Sequence, residues 1–86
     1  MRFDGAVVNE QGVTFGIIIV KPSVLRDATE RSNMRVFGVR AFGRMPIMLM
    51  SQDSRGTPTY QGRRDIAKFL SQIRISRIPW KNYTIS

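Results

Sequence analysis

The stretch that decides the fold is VTFGIIIVKPS, Val13 to Ser23. Val13 to Val20 carries no charge and is apolar at both alternating sets of positions, so neither face of a strand built from it suits water. That pattern fits a central strand, covered on both sides or paired inside a sheet. The run is far too short for the ~20 residues of a bilayer-spanning helix. Gly16, in its middle, lets another backbone or an aromatic ring approach closely. Pro22 cannot donate to a ladder and disfavours helix at Lys21, so the strand ends at KPS.

Working outward, RFDGAVVN alternates briefly and EQG reads as a turn, so residues before Val13 pair with this strand as a hairpin. After KPS a helix begins at one of two places. Ser23 caps it directly, or Asp27 does so with Glu30 three positions on, as in a capping box. The second start is preferred for the main body, Ala28 to Phe42. Met34, Phe37, Gly38 and Ala41 then share one face with Phe42 beside them, and Gly43 stands where a left-handed C-cap belongs. MRVFGVRAF also alternates as a strand would, and that reading stays open. PIMLM is a third strand, again apolar on both faces. Its cluster Met45, Met48 and Met50 reads as core filling rather than as an adaptable binding surface.

QDSRG is turn chemistry, and TPTYQ is a fourth strand whose Pro58 points to an edge. RRDIAKFLSQI follows as an amphipathic helix. Ile66, Phe69, Leu70 and Ile73 form its apolar stripe, Asp65 complements its positive end, and Arg63, Arg64, Lys68 and Gln72 face water. The tail RISRIPWKNYTIS alternates loosely and holds a short strand near Tyr83 to Ile85. The expected fold is a single α+β domain over residues 1–86: a two-layer sandwich of a four-stranded mixed sheet with two helices, in the order strand–strand–helix–strand–strand–helix, with a short C-terminal strand.

The chain of 86 residues is 42% hydrophobic, enough apolar surface for one modest core. It contains no cysteine and no histidine. Disulfides and thiol chemistry are thereby excluded, zinc and copper lose their usual ligands, and the commonest general base near neutral pH is missing. No cofactor, no metal and no membrane partner is expected. The N-terminus places Asp4 and Glu10 around a short apolar stretch, unlike a signal peptide, so a cytoplasmic location is the expectation. Fourteen basic residues, eleven of them arginine, face six acids, for a net charge of +8. Arginine's planar fork suits phosphates. The functional reading of this balance is a polyanion partner, nucleic acid foremost; the plainer one is solubility.

Four groups of residues invite chemistry. The tail interleaves Arg74, Arg77, Trp80, Lys81 and Tyr83, a mixture suited to backbone contact and stacking on single-stranded nucleic acid. With Arg63, Arg64 and Lys68 of the preceding helix these make a candidate nucleic-acid surface, although a lone tryptophan in so small a chain is more often packed on the core. Second, if the second and third strands lie parallel and adjacent, Lys21 and Ser23 meet Asp53 and Arg55 at one sheet edge, a candidate ligand site; the bland alternative is a capped helix and a turn. Third, Lys21 and Ser23 would form a nucleophile pair only if the lysine were buried, and the carboxylates read better as caps, so a non-enzyme is expected. Fourth, an edge strand or the tail could pair with a partner's sheet, making the chain a protein-interaction or homo-oligomeric module.

Residues 45–73, MPIMLMSQDSRGTPTYQGRRDIAKFLSQI, resemble the C-terminal strand–strand–helix part of thioredoxin-like domains. The resemblance covers about a third of the chain and places Met45–Pro46 where that family has its cis-proline. The family's redox motif is absent, and KPSV at most stands near its place, so redox activity is not implied. As a whole the chain looks like a small bacterial conserved hypothetical protein.

Overall fold

The computed structural model describes residues 2–85. Strands β1 (Arg2–Glu10) and β2 (Val13–Ile19) form the hairpin, followed by α1 (Pro22–Leu25), α2 (Ala28–Phe42), β3 (Ile47–Gln52), β4 (Pro58–Gln61), α3 (Arg64–Ser71), a 3₁₀ turn (Ile75–Arg77) and β5 (Lys81–Thr84). The five strands make one mixed sheet in the order β4-β3-β2-β1-β5. β2 and β3 run parallel; every other neighbouring pair is antiparallel. The sheet thus has five strands rather than four, because the tail pairs with β1 from Arg2↔Thr84 to Gly5↔Lys81.

Local chemistry accounts for the boundaries. Gln11 and Gly12 both take positive φ, 51° and 80°, as the tight turns that match strand twist require. Ser23 does not cap a helix: a four-residue α1 begins at Pro22, with Lys21 at its N-cap position and no side-chain cap bond, whereas Asp27 caps α2 by accepting from the amides of Thr29 at 2.9 Å and Glu30 at 3.1 Å. Gly43, at φ 94°, closes α2 with its amide on the Val39 carbonyl. MRVFGVRAF is therefore helix. No cis peptide bond occurs among the described residues, Met45–Pro46 included.

The two-layer expectation is corrected to three layers. Phe15, Ile17, Met48 and Met50 pack with Ile66, Leu70 and Ile78 on one face; Phe3, Ile18, Ile47 and Leu49 pack with Leu25, Met34, Phe37 and Phe42 on the other. The reason lies in β2 and β3, whose apolar residues Phe15 to Ile19 and Ile47 to Met50 point to both faces and need cover on both sides. Helix α2 lies close to its face because Gly16 and Gly38 remove side chains from the contact. A Cβ on Gly16 would stand 2.5 Å from Phe42 Cδ2, and one on Gly38 2.6 Å from Ile47 Cγ2. No helix among the described residues is long and apolar enough to cross a membrane.

Candidate anion-binding surface

The cations divide between the layers. Arg63, Arg64, Lys68, Arg74 and Arg77 lie in the α3 layer, from the start of that helix to the 3₁₀ turn, and all are exposed. Arg64 and Lys68, four apart, share the outer side of α3, since Ile66 and Leu70 are its buried residues. Arg74 and Arg77 bracket a turn in which the Arg77 amide donates to the Arg74 carbonyl at 2.9 Å; residues three apart in such a turn project together. Arg63 is engaged: its Nε and Nη2 donate to the two Asp65 oxygens at 2.9 and 2.6 Å. That hydrogen bond holds the Asp65 carboxyl down to about 2. It is the single ion pair among the described residues.

The two candidate stacking rings are separated by the sheet. Trp80 packs against the α3-side core, and its Nε1 donates to the Ile75 carbonyl at 2.9 Å. Tyr83 lies on the α2 side, stacked on Phe3 at 5.3 Å and edge-on to Phe42 at 5.0 Å. Lys81 is paired opposite Gly5 and two residues from Tyr83, so it shares the α2 side. The structure therefore groups Arg63, Arg64, Lys68, Arg74, Arg77 and Trp80 on one side and sets Lys81 and Tyr83 on the other.

The second group does reach one edge. β2 and β3 are parallel neighbours, and the Val20 amide donates to the Met50 carbonyl at 2.8 Å, so the chain leaves both strands on the same side of the sheet. Asp53 is committed to its own turn: Oδ1 accepts from the amides of Arg55 at 2.8 Å and Thr57 at 2.9 Å. Lys21, Ser23 and Arg55 are exposed, whereas a Ser–Lys nucleophile relies on a desolvated lysine. No cluster of three or more His, Cys, Asp or Glu side chains that could hold a metal ion occurs among the described residues.

Sequence reasoning passed over Arg31 and Arg35. They are the two cations among the described residues that are not fully exposed. They lie one turn apart on the β4-facing flank of α2. Arg31 Nη1 donates to the Leu25 carbonyl at 2.6 Å, and Arg35 Nη2 donates to Gln61 Oε1 on β4. Burial, then the Arg31 charge, push Arg35 below the ordinary arginine value. The four-residue spacing on the inner flank of a helix whose apolar stripe was already assigned was the available signal. A cavity of about 170 Å³ opens elsewhere, between the hairpin end and α3, over Val13, Phe15, Ile66 and Phe69 with Glu10 and Asp65 at its rim; two carboxylates make it a poor seat for an anion. Among known proteins, no family model, no curated protein and no solved structure matches the chain.

Proposed function

We propose that the protein is a non-catalytic binding module that contacts a polyanion, nucleic acid foremost, through the exposed cations of its α3 layer. One observation carries the reading: the net charge is +8, and among the described residues Arg63 is the one basic side chain paired with a carboxylate, which leaves Arg64, Lys68, Arg74 and Arg77 without such a partner. Such cations bind phosphates by displacing condensed counterions, which makes affinity fall steeply with salt. Trp80 takes part as the packed support of the 3₁₀ turn that carries Arg74 and Arg77, its indole N–H being already used. Anisotropy of short labelled DNA and RNA, read across salt concentrations, tests the reading. Binding at about 50 mM salt should weaken by orders of magnitude as salt rises, and Arg64→Glu with Arg74→Glu should abolish it. Undetectable binding at low salt would end this proposal.

A second reading, a self-associating or protein-interaction module, has its own support. β5 covers β1 only as far as Gly5, so among the described residues no strand lies beside the outer side of Ala6 to Glu10, and Val7 there is 38% exposed. An open edge accepts another strand. Light scattering decides it: a concentration-dependent dimer that Val7→Lys returns to monomer supports this reading, and a monomer at all concentrations removes it.

A further inference from the structure

We infer that Arg31 and Arg35 form a discrete binding site for a phosphate group, on the α2 side of the sheet and independent of the α3 layer. Exposed arginines are stabilised by water and need no partner. Arg31 and Arg35 are half-buried, carry the same charge and lie one helical turn apart, yet among the described residues no carboxylate stands within 4.0 Å of either. Partial desolvation of two neighbouring like charges is unfavourable unless something offsets it. The protein offers only neutral acceptors, the Leu25 carbonyl to Arg31 and Gln61 Oε1 to Arg35. Each contact commits one of the five N–H donors of a guanidinium and fixes its direction.

The neighbouring hairpin presents further polar groups on the face that Arg35 reaches through Gln61. Gln61 is opposite Leu49, and Thr59 is opposite Ser51, so Ser51, Thr59 and Gln61 lie on the same side of the β3–β4 hairpin as α2. They place the exposed Thr59 hydroxyl, the buried Ser51 hydroxyl and the Gln61 amide N–H₂ on the same face as the Arg35–Gln61 bond. The nearest acids in sequence are turned to other work or other sides. Asp27 caps the helix, and Glu30 lies on the opposite flank of α2 by helical spacing. Arginine forks at four-residue spacing bracket a tetrahedral anion with charge-assisted bonds. Its charge would offset the burial and, after it, the Arg31 repulsion that together depress Arg35.

The test is an NMR titration of the full chain with inorganic phosphate, with chloride matching ionic strength throughout. The expected result is a saturable shift of the Arg31, Arg35 and Gln61 signals. Arg35→Gln and Arg31→Gln should each weaken it about tenfold or more, as loss of a charged hydrogen-bond donor does. Arg35→Lys, which keeps the charge and the fold but loses the fork, should weaken it too. Arg64→Glu with Arg74→Glu should leave it unchanged, so failure of the α3-layer reading and failure of this one are separately visible. A nucleoside monophosphate and an oligonucleotide without terminal phosphates identify the source: the arm that shifts Arg31 and Arg35 names a free ester or a backbone phosphate. If neither phosphate nor either arm moves these signals beyond the chloride control, or if Arg35→Gln binds like the parent, the two side chains merely cover the sheet edge and the inference falls.

Discussion

Against α2 the sheet presents Gly5 and Gly16, and the helix answers with Gly38; against α3 it presents Met48 and Met50 below Leu70 and Ile66. The first interface is tight because side chains have been removed from it. Phe42 then fills the space over Gly16 and Gly5 and closes a ring cluster with Phe3 and Tyr83. The second is filled by flexible thioethers, which adapt to irregular gaps. It also holds a buried Tyr60 hydroxyl with no hydrogen-bond partner and, at its hairpin end, the cavity beside Asp65. The lesson is that one sheet can be covered by rigid complementarity on one side and by adaptable filling on the other. The two sides should fail differently.

The largest effect is expected on the adaptable side when volume is lost outright. Leu70→Ala should cost about 2–5 kcal/mol in urea unfolding, while Met48→Leu, which keeps volume, should stay below about 1.5 kcal/mol. A large penalty for Met48→Leu would mean that this side is as exacting as the other. Next comes Gly16→Ala, whose new methyl meets the Phe42 ring; overpacking of this kind costs about 1–3 kcal/mol. In a Phe42→Leu background that cost should shrink, and a double-mutant cycle with no coupling would break the account of α2 packing. Tyr60→Phe should be neutral or stabilising by up to about 1 kcal/mol, because the lost hydroxyl bonds to nothing. Burial also raises the Tyr60 hydroxyl above its ordinary value. The unfolded chain therefore ionises first, and the parent alone should lose stability as pH rises above 10.0.

The smallest effect concerns Asp65. The bond from Arg63 lowers its folded value from 3.8 to about 2. The stabilisation is thus present above 3.8 and is lost as pH falls through about 2. Thermal midpoints of the parent and Asp65→Asn should differ slightly at neutral pH and converge near pH 2. A gap that persists unchanged into acid would mean the carboxylate contributes through shape instead of charge.

Legibility followed the range of the interactions. Asp27 and Gly43 were readable as caps because a cap is made by residues within one turn of one another, and α2 has the expected bounds; the capping box is only half formed, since the Asp27 amide donates to the Val24 carbonyl and not to Glu30. Pro58 marked an edge strand because the missing N–H is a property of the residue itself, and β4 is an edge. The close approach at Gly16 was legible too, though not that Phe42 would fill it. The candidate surface was less legible. The separation of Trp80 from Tyr83 depends on the tail crossing to pair with β1, a contact between chain ends that no local pattern encodes.

By itself the sequence determined the elements and the charge. Alternation, helical stripes, caps and turn residues act over a few positions, and the excess of arginine over carboxylate is a count. It also held the demand for cover on both faces of β2 and β3, although not the means of meeting it. Only the tertiary structure decided that α2 and α3 take opposite faces, that β5 completes the sheet, and that Arg31 and Arg35 alone among the cations are half-buried. Burial is set by what a side chain meets from distant parts of the chain. For that reason the cations that bear an electrostatic cost could not be told, before folding, from those that water stabilises.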